Sequence, residues 1–275
     1  MGFFKQSVYP GFVAVRGRQI IVSGQGCKVR DWLNPRGLQQ ADGFVIYDPY
    51  GYMYLRYGRL FARGGYRVKT FNAANLRESD RYNPLAYIRR DSDIPKLVSA
   101  FITGTKGIGK PGDLRFLSSE TLLLSALVGY LIDEALEHER NIGSVIEMLK
   151  SMLPEDDDYR YHNDIDRRHA IDFMFEEIED GTPDCFCVKR YEGFKFNAGS
   201  HAGMVAESCA HRLKPFRAPE IRNYFSGDEL GLDSLCDGRK TVLFVSGGKS
   251  ETFGFMVPLM YTQLFDTLCE ESGQC

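Results

Sequence analysis

Histidine is scarce in this 275-residue chain, cysteine occurs in an odd number, and no long apolar run is present. The five histidines are scattered, and none stands in a nucleophile or metal-ligand pattern. His201 and His211 flank a helix-like stretch and suit surface or helix-end positions. Seven cysteines without regular spacing describe neither a disulfide framework nor a zinc site. Cys185 and Cys187 form the one close pair, with no second pair or histidine at ligand spacing. They read as reduced, mostly buried thiols of a cytosolic-facing protein, and no metal site is expected. The longest apolar run, Leu122 to Ile132, is too short and too interrupted to cross a bilayer. The first ten residues, MGFFKQSVYP, have neither the apolar stretch nor the cleavage site of a signal peptide. The expectation is a chain that nothing in its own sequence holds in a membrane.

At 275 residues, one large domain or two smaller ones are both open. The net charge of −3 hides an asymmetry. Residues 1–90 carry 15 Lys+Arg against 5 Asp+Glu, a net of +10, and residues 91–275 carry 19 against 32, a net of −13. The basic part interleaves Arg56, Arg59, Arg63, Arg67 and Lys69 with Tyr50, Tyr52, Tyr54 and Tyr57. That mixture is compatible with a nucleotide or nucleic-acid surface. Solvated helix faces balanced by the acidic remainder explain it equally well.

The same basic part holds the most informative segment, Gln19 to Tyr54. Ile20, Ile21 and Val22 form a β-branched run, Gly24 and Gly26 follow, then Lys28, and the chain can helix until Asn34-Pro35. A strand passing through a glycine-bearing turn into a helix start presents backbone N–H groups to a phosphate, with a lysine to neutralise it. The full phosphate-loop pattern asks for more. With Lys28 in the lysine position, Cys27 replaces the preceding glycine and Val29 replaces the hydroxyl that would hold Mg²⁺. An ordinary strand-to-helix turn with a solvated Lys28 is the alternative.

Beyond Asp48-Pro49, a helix over Tyr50–Arg63 stopped by Gly64-Gly65 and a strand over Tyr66–Phe71 continue a parallel α/β alternation. From Ile94 to about Phe225 the spacing turns helical: Ile94–Phe101, Ser118–His138, Asn141–Leu153, His169–Glu179, Ala198–Leu213 and Pro219–Phe225. A buried strand, Thr241–Ser246, a Gly247-Gly248 turn and a helix from Glu251 to about Glu270 then return. ALVGYLIDE, residues 126–134, imitates a metal-binding strand but lies inside a helical run. Glu155 to Asp158 reads as an acidic surface loop, and Lys249 as part of a strand-to-helix turn capped by Ser250.

Six segments follow one another along the chain: KVRDWLNPRGLQQ from Lys28, FVIYDPYGYM from Phe44, RYNPL from Arg81, SSETLLLSALVGYL from Ser118, FNAGSHAGMVAESCAHRLKPF from Phe196 and KTVLFVSGGKSETFGFMVPLMYTQLFDTLC from Lys240. They carry a resemblance to the coupling proteins of type IV secretion and conjugation, the TraG/TraD-like DNA-transfer ATPases. It implies an α/β fold: a RecA-like P-loop nucleotide-binding domain with a partial parallel sheet, interrupted by an all-α inserted domain. The first part would span residues 1–84, the insertion 85–225, and the return 226–275, truncated before the Walker B strand. The resemblance implies ATP and Mg²⁺ as cofactors, with Gly24, Gly26, Cys27, Lys28 and Val29 in the phosphate loop and Asp48 and Gly51 in the neighbouring box. It further implies single-stranded DNA with its relaxase and secretion-channel proteins as partners, a homo-hexamer, and a place at the cytoplasmic face of the bacterial inner (plasma) membrane.

Departures from the family pattern bear on activity. Tyr50 and Tyr52 occupy the lysine and glutamate positions of the family's Asp-Pro-Lys-Gly-Glu box, and the resemblance implies that the strand with the family's catalytic Asp-Glu pair is expected only after Cys275. Two functions are expected from this: a coupling-protein component that recruits and moves a DNA–relaxase substrate, or a catalytically inactive interaction module.

Overall fold

The computed structural model describes residues 11–15, 18–23, 41–105, 116–153, 170–247 and 249–272. The elements in chain order are β1 (Gly11–Val15), β2 (Arg18–Val22), β3 (Gly43–Tyr47), α1 (Tyr52–Arg63), β4 (Arg67–Asn72), α2 (Asp93–Gly104), α3 (Leu117–Asp133) and α4 (Ile142–Ser151). They continue with α5 (Ala170–Gly181), α6 (Phe186–Ala198), α7 (Ala202–Arg212), α8 (Pro219–Phe225), β5 (Thr241–Ser246) and α9 (Met256–Ser272). The helix expected before Asn34-Pro35, the loop from Lys106 and the acidic loop Glu155–Asp158 lie outside the described residues. Two compact units result, one of Met1–Tyr82 with Asp228–Cys275, the other Asn83–Gly227.

In the first unit the sheet order is β1-β2-β3-β5-β4. β2, β3, β5 and β4 run parallel, with Ile20 opposite Gly43, Gly43 opposite Thr241 and Arg67 opposite Thr241. β5, last in sequence, thus lies between β3 and β4. β1 adds an antiparallel edge, Gly11 opposite Val22, which the sequence reading does not foresee. β3 and β5 are apolar along almost their whole length because the sheet is covered on both faces. On one face Phe61 of α1 is fully buried against Phe44, Tyr66 and Phe244, with ring centroids 5.1, 5.1 and 5.8 Å away. Burying such a side chain contributes about 2 kcal/mol. α9 supplies a buried stripe at helical spacing, Met256, Met260, Leu264 and Leu268. It begins five residues later than the expected Glu251, because Ser250 Oγ accepts the Phe253 N–H at 3.3 Å and holds the intervening residues in turns.

The end of β5 is fixed by one glycine. Gly247 has φ 78°, and a Cβ there would stand 2.2 Å from Ala74 N and 2.7 Å from Ala73 N. Only glycine allows the backbones after β5 and β4 to approach this closely.

The second unit is helical among its described residues. α3 is apolar around most of its circumference, and Leu123, Leu124, Ala126, Leu127, Val128 and Leu131 are all buried. Such a helix belongs at the centre of a bundle, and α2, α4, α6 and α7 pack around it. ALVGYLIDE is therefore helix, as its spacing predicts. Glu120 of α3 is wholly buried and meets Arg212 of α7, with Nη2 to Oε2 2.8 Å and Nε to Oε2 2.9 Å, while Ser208 donates to Oε1. α3 ends at Asp133 rather than at His138, and a short 3-10 turn, Glu137–Glu139, follows. The helix expected from Ala198 starts at Ala202, since Gly199 at φ 50° breaks the chain there. α6, ahead of it, has no counterpart in the sequence reading.

Candidate functional site

The carboxyl ends of parallel strands are where open α/β sheets place ligands, because helices begin and loops converge there. Gly24, Gly26, Cys27, Lys28 and Val29, the expected phosphate-loop residues, lie outside the described residues. Asp48 and Gly51 are described, and the structure brings them together at the start of α1.

Asp48 follows β3 and is only 3% exposed. Its N–H donates to Val245 O at 2.7 Å, its carbonyl accepts the Gly51 N–H at 3.1 Å, and its Oδ2 accepts the Tyr54 N–H at 2.8 Å. Tyr54 is the third residue of α1, so the carboxylate satisfies a helix-start N–H that would otherwise lack a partner and lies at the positive end of the helix dipole. Gly51 occupies the cap position itself with φ 75°. Nothing stands within 4 Å of a Cβ there, so backbone conformation and not space demands glycine.

The turn between them presents Tyr50 to solvent, and α1 begins with Tyr52; they are 65% and 70% exposed, with ring centroids 6.0 Å apart. The turn after β5, the strand beside β3, contributes Lys249. Its Nζ lies 5.6 Å from the Tyr50 ring centroid and 3.4 Å from the Tyr50 hydroxyl. Burial raises the Tyr47 phenol at the end of β3 above its ordinary value, while the Lys249 charge pulls it down. Tyr47 N–H donates to Ser23 Oγ at 2.9 Å, and the buried Tyr261 hydroxyl donates to Ser23 O at 3.2 Å. Burial raises Tyr261 as well. The end of β2 is thereby tied to β3 and α9 immediately before the expected loop.

Along the exposed side of α1 stand Leu55, Arg56, Arg59 and Arg63, and the helix contains no acidic residue. Cation and aromatic surfaces of this kind suit an anion beside a planar ring. Asp48 is turned inward as a helix cap, and no group of three His, Cys, Asp or Glu able to hold a metal occurs among the described residues.

A family model described as type IV secretory system conjugative DNA transfer matches residues 32–273. The chain belongs to that family. No curated protein matches it. The conjugative DNA-transfer match takes in Asp48, Tyr50, Gly51, Tyr52 and Lys249, and begins beyond Gly24, Gly26, Cys27, Lys28 and Val29. Lys249 is the member of this edge that sequence reasoning did not join to the others. Its signal is the GGK that follows a buried strand, but the Tyr50 partner is 199 residues away. Among the described residues, no helix is long and apolar enough to cross a membrane.

Proposed function

We propose that this chain is the coupling-protein component of a type IV secretion system for conjugative DNA transfer, in which an ATPase-type domain recruits a DNA–relaxase substrate and moves it to the channel. What carries this reading is the reach of the family match, residues 32–273, which takes in the helical unit and the α/β unit from before β3 onward. The cationic, aromatic edge built by Lys249, Tyr50, Tyr52 and the arginines of α1 supports a role in contacting DNA or nucleotide phosphate. ATP and Mg²⁺ are the cofactors of this reading, with phosphate contacts falling to Gly24, Gly26 and Lys28. The partners are single-stranded DNA with its relaxase, channel proteins and further copies of the chain in a hexamer, working at the cytoplasmic face of the inner membrane.

Fluorescence anisotropy tests this directly. A labelled single-stranded oligonucleotide is expected to bind tightly at about 50 mM salt and much more weakly at about 200 mM, as phosphate contacts require. Labelled ATP is expected to bind at millimolar concentration. A chain that binds neither would lose the motor reading.

A second reading, a non-catalytic module that docks a relaxase or channel protein, is favoured by the Asp48 carboxylate serving as a helix cap and by Cys27 and Val29 in the loop. Restoring Cys27→Gly with Val29→Thr and gaining nucleotide binding that the parent lacks would support it. Tight Mg-ATP binding by the parent would exclude it.

A further inference from the structure

Cys185 and Cys187 bracket the first turn of α6, Cys185 as its N-cap and Cys187 inside it. Their sulfurs stand 3.3 Å apart, in direct contact. The two thiols differ in access: Cys185 is half-buried, while Cys187 is wholly buried. Cys187 backs onto α3, where a Cβ on Gly129 would come within 3.0 Å of Cys187 Cβ and 3.2 Å of the Phe186 ring. Burial raises its thiol, and the charge of the Asp133 carboxylate at the end of α3 raises it further. An outer thiol and an inner thiol in direct contact make a pair that the proposed function does not use.

We propose that Cys185 and Cys187 are a peroxide-oxidisable dithiol that closes reversibly into an intrachain disulfide at the start of α6. Cys185, the accessible sulfur, attacks one oxygen of hydrogen peroxide as its thiolate. The S–O bond forms and the O–O bond breaks; the departing hydroxide takes up the proton Cys185 gave away, and one water results. Cys187 then attacks the sulfur of the Cys185 sulfenic acid. The S–S bond forms, the S–O bond breaks, and the Cys187 proton passes to the leaving hydroxide as a second water. The two sulfurs lose two electrons and the peroxide gains them.

Closure shortens the sulfur separation from 3.3 Å to about 2.05 Å, a movement confined to one helical turn. Burial and the hydrogen bond with Cys185 hold the Cys187 thiol protonated at neutral pH, so Cys187 acts as the resolving partner and not as the first target. The α3–α6 contact at Gly129 is the part of the helical unit that feels the change, because it has no slack beside Cys187.

The test uses the whole chain, treated with hydrogen peroxide, quenched with N-ethylmaleimide and digested with trypsin without reductant. The peptide His169–Lys189 contains Cys185 and Cys187 and no other cysteine. Mass spectrometry should find it two hydrogens lighter and unalkylated, and alkylated twice after dithiothreitol. Recovery of the doubly alkylated peptide without reductant would overturn the proposal. So would Cys185 as sulfinic acid beside a free Cys187, or Cys185 joined to another peptide. In Cys187→Ser, Cys185 should persist as a sulfenic acid that dimedone captures; absence of that adduct would show that Cys185 is not the sulfur attacked.

Discussion

The ammonium of Lys249 sits 5.6 Å from the ring centroid of Tyr50, joining the turn after β5 to the turn after β3. The contact follows from strand order, since β3 and β5 are neighbours in the sheet and their following turns emerge side by side. Both residues belong to the conjugative DNA-transfer match, and both are solvent-facing, so the pair is available to a ligand at little cost to the fold.

Lys249→Ala should therefore weaken binding of a single-stranded oligonucleotide several-fold and lower the slope of log affinity against log salt by about 0.7, the contribution of one phosphate contact. Tyr50→Phe should bind nearly as the parent does, because it keeps the ring, whereas Tyr50→Ala should lose about 1–3 kcal/mol if a base stacks there. Stability should shift by no more than about 0.5 kcal/mol in each case. Anisotropy titrations at several salt concentrations, with thermal unfolding alongside, check both statements. Loss of affinity without a change in salt slope would remove Lys249 from the phosphate contacts.

Asp48 separates a structural role from a metal role. Because its Oδ2 accepts the Tyr54 N–H, Asp48→Ala should cost about 1–2 kcal/mol in urea unfolding, and Asp48→Asn clearly less, since the amide oxygen still accepts. If Asp48→Asn folded like the parent yet abolished a magnesium-dependent binding signal, the carboxylate would be serving an ion and not the helix.

The sheet was largely readable because a strand covered on both faces must be continuously apolar, as β3 and β5 are. β1 was not, since its short GFVAV run carries no comparable signal and it pairs only along the antiparallel edge of the sheet. α6 was missed although its buried Cys187, Tyr191, Phe194 and Ala198 fall at helical spacing; lysine, arginine, glutamate and Gly193 scattered between them blur the stripe. At the site, adjacency in sequence made Asp48 and Gly51 visible as a pair. That Asp48 caps α1, and that Lys249 reaches Tyr50, depends on fold geometry across β3 and β5, which no local pattern encodes.

Two glycines with similar positive φ should respond very differently. Gly51→Ala meets open space and should cost about 1–2 kcal/mol for its left-handed conformation alone. Gly247→Ala drives a Cβ to 2.2 Å from Ala74 N and must separate the chain ends after β4 and β5, so a loss of more than about 3 kcal/mol is expected. Urea midpoints of the two variants, compared with the parent, test the difference. Equal losses would mean that the close approach at Gly247 relaxes freely.

Glu229 supplies a pH dependence with a defined sign. Arg81 Nη2 lies 2.9 Å from Glu229 Oε1, and the Arg81 N–H donates to Oε2 at 3.2 Å. These hydrogen bonds hold the carboxyl below its ordinary 4.5, with the side-chain bond the larger cause. In the window between the folded value and 4.5 the unfolded chain binds more protons than the folded one, so stability rises with pH there. The contribution is fully present above 4.5 and is lost as pH falls through the folded value. Glu229→Gln should lower the urea midpoint slightly at pH 7, by the equivalent of about 0.5 kcal/mol or less, since the pair is well exposed. The gap between variant and parent should close as pH drops below 4.5 and should shrink in high salt. A gap that stays constant across pH would mean that Glu229 acts through packing or backbone geometry instead of its charge.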